Sequence, residues 1–517
     1  MAMEVSFRQL NGEAMILEVM PDMTGRELKA RIKECQLWDD ELTRKTTRVD
    51  IVVGASRMLK NDETAADADL SPESEATVIL GQNTVTCSNK RELAQLADNE
   101  DGTRPKSDRR HSESLFVVQI TNGVTAIVQE AFWGCNLLAS VTIPNSVTHI
   151  GSRAFADCRS LASVTIPNSV TRIGDGAFEA CSSLASVTIP DSVTEIGQVA
   201  FASCFSLASV TIPNSVTHIG SRAFADCSSL ASVTIPDSVT EIEGGTFVEC
   251  SSLASVTLPD SVTQIGMSAF AFWGCNLLAS VTIPNSVTHI GSRAFADCSS
   301  LASVTIPDSV MEIGEAAFAG CSSLASVTIP SSVTQIGSNA FGKCSSLASV
   351  TIPDSVTQIG NGAFEECSSL ASVTIPDSVT QIGMSAFAEC SSLASVTIPN
   401  SVTQIGVGAF AGCRSLASVT IPDSVTHIGC GAFAGCRSLA SVTIPDSVTQ
   451  IGEAAFLRCS ALTLVLPITR IRLEEEAFSG CQRIQAKECE CQGCEYSWFL
   501  DGWVCPRRWR SSLHGRR

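Results

Sequence analysis

The stretch SVTIPNSVTRIGDGAFEACSSLA, residues 163–185, returns along the chain every 23 residues. A fixed period of this size marks a stacked repeat, in which each unit is one supersecondary element leaning on its neighbours. A leucine opens each unit, from Leu115, Leu138 and Leu161 through Leu278 to Leu439 and Leu462, sixteen in all. Each unit closes on a cysteine, from Cys135 to Cys481, so the period accounts for sixteen of the 23 cysteines.

Leu161, Val164 and Ile166 form a short L-x-x-V-x-I segment, β-branched as a strand should be. Pro167 stops that strand because it has no N–H for a ladder. Val170 and Ile173 mark a second inward stretch, Gly174 permits a turn, and a short helical piece is expected to carry Phe178 and Cys181 inward. A lone unit buries too few side chains to order itself, so the units must stack and share a core.

These residues resemble the BspA-like leucine-rich repeats, whose units read broadly as L-x-x-I-x-I-P…V-x-x-I-G-x-x-A-F-x-x-C. The resemblance covers residues 115–481, with Thr121 in place of the first proline and a last unit one residue short, as capping units would be. It implies an α/β solenoid of sixteen units. Residues 132–158 recur unchanged as 272–298, after a two-residue insertion around Phe270-Ala271-Phe272-Trp273. That insertion is expected to bulge from the helical side. An array built by copying has had little opportunity to install a unique catalytic site.

Residues 1–82 read differently. Two alternating runs flank Asn11-Gly12, a hairpin signal, and Thr24-Gly25-Arg26-Glu27 has capping-box spacing before a helix. Val49–Gly54, a stretch from Leu59 to Leu70 and a closing strand Ala76–Leu80 follow. This order resembles ubiquitin-like domains, small α+β folds of the β-grasp type. Only Gly81 stands where conjugating members of that family end in Gly-Gly, so conjugation is not expected. Residues 83–114 read as a polar linker, and 482–517 as a tail rich first in Cys and Trp, then in Arg.

The net charge of −19 argues against general nucleic-acid binding, which needs a basic surface. Hydrophobic residues reach 44% but aromatics only 5%, with Tyr496 the single tyrosine, a skew unlike that of an enzyme pocket. No run of 18 apolar residues occurs, so no membrane span is expected. Met1-Ala2-Met3-Glu4-Val5 lacks the basic and apolar regions of a secretory signal. A cytoplasmic location with reduced thiols follows as the expectation.

Four constellations have both a chemical and a bland reading. The cysteine column reads as a disulfide or metal ladder, or as small buried hydrophobes; the second is favoured, because cysteines one turn apart point in parallel. Cys489, Cys491, Cys494 and Cys505 would supply four thiolates to zinc, yet their spacing is irregular for a zinc module. Trp498, Phe499 and Trp503 beside them suit an apolar cap. His149, His218, His289 and His427 share a column but never sit on adjacent turns, and no serine is singled out for a catalytic triad. The paired Asp237/Asp260, Asp354/Asp377 and Asp423/Asp446 suit a cation or, more simply, solvated turns.

The outward strand positions are more informative. Ser163, Thr165, Ser186, Thr188, Ser209 and Thr211, with Thr234, Thr374 and Thr420 further on, should form an uncharged hydroxyl ladder on the concave face. The leading expectation is a non-catalytic protein-interaction scaffold without cofactors, monomeric or weakly self-associating. The ubiquitin-like domain would then recruit a second protein. A surface adhesin reached by unconventional export is the alternative. Ice or crystal-surface binding by the hydroxyl lattice, and a ubiquitin-pathway enzyme using a tail cysteine, are more distant ones.

Overall fold

The computed structural model describes residues 3–9, 14–19, 49–53, 57–58, 76–80, 84–87, 116–120, 124–266, 270–466, 471–486, 497–499 and 502–504. The chain forms two compact units, Met1–Leu230 and Ala231–Arg517. Between them they carry about fifteen turns of parallel β-solenoid, the number of steps separating the sixteen leucines.

In the first unit, Met3–Gln9 pairs antiparallel with Ala14–Val19 and parallel with Ala76–Leu80. Val49–Val53 then pairs antiparallel with Ala76–Leu80 and with Arg57–Met58. The helix expected after Thr24 lies outside the described residues. The solenoid part has two ladders. One runs from Thr84–Cys87 and Phe116–Ile120 through Leu138–Thr142 and Ser163–Thr165 to Ser209–Thr211, every neighbour parallel. The stretch read as a linker thus contributes a strand, in which Val85 stands opposite Val118. The second ladder runs from Ala126–Ile127 to His218–Ile219.

The second unit repeats this plan. Its second ladder holds eleven strands, from Glu241–Ile242 to Arg472–Leu473. Its three-residue strands run from Ser232–Thr234 to Ser441–Thr443, and Thr463–Leu466 pairs in parallel with Arg483–Ala486 beyond the last repeat cysteine. Ser497–Phe499 and Gly502–Val504 form an antiparallel pair.

The core is what the period dictates. Leu161, Val170, Ile173, Ala177, Phe178 and Cys181 have no exposed surface, and Val164 and Ile166 almost none. Phenylalanines stack from coil to coil, Phe132 on Phe155 with ring centroids 5.0 Å apart and planes within 3°. In the second unit the stack runs from Phe247 through Phe272 to Phe478. The insertion leaves it unbroken, because Phe272 rather than Phe270 takes the core position.

The turn side corrects one expectation: no helix carries Phe178 and Cys181. The amides of Ala177, Glu179 and Cys181 bond back to the carbonyls of Gly174, Gly176 and Phe178. Those of Gly176, Phe178 and Ala180 bond forward to the next coil, at the carbonyls of Gln198, Ala200 and Ala202 (2.7, 2.8 and 2.7 Å). A helix would keep every amide within its own segment. Here every second one is exported, which requires a left-handed residue at Gly176 (φ 60°) and again at Ala180 (φ 57°).

Gly174, by contrast, is not left-handed; it is excluded from bearing a side chain by contact. A Cβ there would lie 2.7 Å from the backbone of Gly151 and Ser152 in the preceding coil. Gly174→Ala should therefore cost about 3 kcal/mol by overpacking. Val199 occupies the slot of Gly176 in the following coil, a β-branched residue at φ 48°. Val199→Gly should gain about 1 kcal/mol by relieving left-handed strain. Urea unfolding of the two variants measures both, and a destabilised Val199→Gly would refute the strain.

Candidate functional site

Two outward surfaces are built by the strands, and both repeat at the strand spacing of about 4.8 Å. On the first ladder each Ser-Val-Thr strand buries its valine and exposes both hydroxyl residues. This holds for Ser163 and Thr165, Ser186 and Thr188, and Ser209 and Thr211 in the first unit. It holds equally at Thr234, Thr374 and Thr420 in the second. Registers are exact within each paired run, with Ser163 opposite Ser186 and Thr374 opposite Thr397. Hydroxyls therefore align in two rows along each run, the longest in the second unit being the six strands from Ser326–Thr328 to Ser441–Thr443.

Other hydroxyls are spent on the structure. Ser169 donates to the carbonyl of Val147 in the preceding coil (2.5 Å), and Ser355 does the same to Val333 (2.6 Å). Their contact with the preceding coil is invisible without the stack.

The second surface lies beside the second ladder of the second unit. It is a shallow groove of about 730 Å³ that extends from Gln335 to Gly429. Gln335, Gln358, Gln381 and Gln404 form one wall and Ser338, Asn361, Met384 and Val407 the other. Glycines from Gly337 to Gly429 lie between them. Met384 is 52% exposed and Val407 47%. Sequence reasoning missed this groove, because its shape comes from side chains that the glycine column lacks. A smaller hollow of about 260 Å³ includes Gln264, His289 and Glu312.

The remaining candidates are placed as follows. The repeat cysteines are free thiols, and those from Cys158 to Cys459 are buried. Cys181 donates its S–H to the carbonyl of Phe155 in the preceding coil (3.2 Å), and Cys344 and Cys367 do the same to Phe318 and Phe341. Burial pushes the Cys181 and Cys344 thiols up to about 12. Cys430 is exposed. Cys489, Cys491, Cys494 and Cys505 lie outside the described residues. His149, His289 and His427 each share a 2.8 Å hydrogen bond with the preceding threonine hydroxyl. The Asp pairs are solvent-exposed turn residues. Among the described residues no group of three His, Cys, Asp or Glu could hold a metal ion. No helix among them is long and apolar enough to cross a membrane.

The comparisons with known proteins agree with this architecture. The model of the BspA type leucine rich repeat region (6 copies) matches residues 110–231, 153–272, 217–344, 268–391 and 357–485. The chain belongs to this family of leucine-rich-repeat proteins. A leucine-rich repeat protein from Bacteroides ovatus is 34% identical, with a TM-score of 0.61 over 66% of this chain and 88% of its own. A leucine rich cell surface protein from Faecalibacterium prausnitzii is 33% identical, with a TM-score of 0.38 over 66% of this chain and 83% of its own. No curated protein matches the chain.

Two measurements test the thiol column. A thiol reagent applied to native protein should label Cys430 rapidly and spare Cys181 and Cys367. The pH dependence has a definite sign. In the unfolded chain the repeat thiols ionise near 9.0, while in the fold Cys181 holds its proton to about 12. The folded state thus binds more protons across that window, and stability should fall as pH rises through it. A flat urea midpoint between pH 9 and 11 would place the column outside the core.

Proposed function

We propose that the protein is a non-catalytic binding scaffold whose hydroxyl-bearing strand face docks a protein partner. The observation that carries this reading is the uniform exposure of Ser and Thr on either side of a buried valine, repeated along each unit. Interfaces usually concentrate their energy in Trp, Tyr and Arg, and these strands contain none. Affinity must accumulate over many coils, each adding a weak hydroxyl contact. Membership of a leucine-rich-repeat family supports binding over catalysis. The same surface would serve an adhesin displayed outside the cell; locating the native protein by surface labelling separates that reading from a cytoplasmic scaffold.

Thr374→Lys alone should weaken partner binding slightly, whereas Thr374→Lys, Thr397→Lys and Thr420→Lys together should nearly abolish binding within that segment. All three residues are exposed, so the fold should survive. Unchanged affinity in a folded triple variant would move the docking site to the turn side, where Arg153, Glu179 and Lys343 differ from coil to coil.

We further infer that residues 1–82 are a ubiquitin-like recruitment module. Support comes from the strand order, in which Met3–Gln9 and Ala76–Leu80 are parallel neighbours inside an otherwise antiparallel sheet. With Gly81 followed by Gln82, no terminal Gly-Gly exists for conjugation. Mass spectrometry of native protein should find residues 1–82 still joined to the solenoid. A mature terminus near Gly81 would overturn that inference.

A further inference from the structure

The groove beside the second ladder differs from the rest of the surface in charge. The chain is 17% charged and carries a net −19, yet none of the residues lining this groove is Asp, Glu, Lys or Arg. The smaller hollow on the same ladder includes Glu312 and lacks this neutrality. A charge-free channel in an acidic protein offers no advantage to an ionic ligand and leaves a neutral one undisturbed.

Its two walls are chemically unlike. Gln335, Gln358, Gln381 and Gln404 present four primary amides, one per coil, each with two donors and a carbonyl acceptor. None of these side chains makes a hydrogen bond among the described residues, so all four are available. His427 continues the row by one coil. Opposite them Met384 and Val407 expose apolar surface on adjacent coils. Between the walls the glycines keep the channel clear, and they cannot acquire side chains. A Cβ on Gly360 or Gly383 would lie 2.6 Å from the backbone of the preceding coil. The groove is therefore maintained by the same contact that sets the coil spacing.

The ligand this geometry suits is linear and uncharged, with one edge of hydrogen-bonding groups, one apolar face, and a repeat near the strand spacing of about 4.8 Å. A β-linked neutral glycan has these properties together. Its pyranose rings lie in a flat ribbon, hydroxyls at the edges and C–H groups on the faces, and one sugar advances by about one coil. An extended polypeptide advances only about 3.4 Å per residue and would fall out of step with the glutamines.

We propose that the channel between Gln335 and Gly429 binds a neutral β-linked glycan, with the glutamine row holding its hydroxyls and Met384 and Val407 packing on a ring face. This is a different surface from the strand face proposed to dock a protein, and it stands without that reading. Calorimetric titration of the full-length protein with cellohexaose should detect binding in the micromolar to millimolar range. Gln381→Ala with Gln404→Ala should weaken it roughly tenfold by removing two neutral hydrogen-bonding groups. Met384→Lys should weaken it comparably, and unchanged melting temperatures would show that the variants remain folded. The triple lysine variant at Thr374, Thr397 and Thr420 should bind the sugar as the parent does, which separates the two surfaces. Maltohexaose, whose α-linked chain coils, should bind at least tenfold more weakly. No binding at millimolar cellohexaose, equal affinity for maltohexaose, indifference to the groove variants, or tighter binding of a neutral Ser/Gln peptide at the same residues would each overturn the proposal.

Discussion

The amides of Gly176, Phe178 and Ala180 leave their own coil and bond to carbonyls of the next, and this exchange governs the rest of the solenoid. It works only when neighbouring backbones approach to one strand spacing along the turn as well as along the two ladders. Gly174, Gly360 and Gly383 make that approach possible, because any Cβ would meet the preceding backbone at 2.6–2.7 Å. Once the spacing is fixed, the phenylalanine rings have no choice but to stack face over face at 5.0–5.6 Å. The cysteines fill the corner beside them, where their thiols meet carbonyls that the turns leave facing inward, as Cys367 meets that of Phe341. Each inward column is uniform because each position sees the same surroundings above and below.

Much of this was legible in the sequence, and for a physical reason. Burial in a stack repeats with the chain, so Leu161, Val164, Ile166, Val170, Ile173, Phe178 and Cys181 could be assigned to the core from periodicity alone. The outward Ser163 and Thr165 followed from strand alternation. The turn side was misread as helical. Gly-x-x-Ala-Phe has a helix-like spacing of apolar residues, and only the neighbouring coil reveals where the amides go. The same limitation hid the role of Gly174, read as a flexible turn residue. Its constraint lies in contact with Gly151, 23 residues away, rather than in its own dihedral angles. The groove was hidden in the same way, since it is defined by what five successive coils omit.

The duplicated segment shows how far identical sequence leaves surface chemistry open. Trp133 and Trp273 lie in copies that match from 132–158 to 272–298. In the first copy Arg159 pairs with Asp157 at 3.1 Å, and Trp133 is left 52% exposed. In the second, Ser299 replaces that arginine, and the indole of Trp273 donates to Asp297 at 2.7 Å. The inserted Phe270 packs against Trp273 at 5.5 Å, and Arg293 sits over its ring. Ser299 just beyond the copy and Phe270 just before it thus give the tryptophan new neighbours without disturbing Phe272 beneath it.

That separation between inner and outer columns bears on where function can reside. Exposed ion pairs such as Arg172–Glu195, at 2.8 Å, are worth at most about 1 kcal/mol. Replacing Arg172 with the glutamine found at Gln335 or the histidine at His149 therefore costs the fold little. Replacing Phe178 or Gly174 would cost several times more. Copying a coil duplicates the expensive positions intact, after which the outer columns can drift almost freely. A run of four glutamines and a histidine leaves this stretch of the column without charge, where other coils carry Arg172, Glu195 or Glu312. The strand face differs, since its Ser and Thr suit the strand itself as well as a partner. The second column has no such dual use, because its outward side chains do not enter the core, so its chemistry is set by what lies outside the coil.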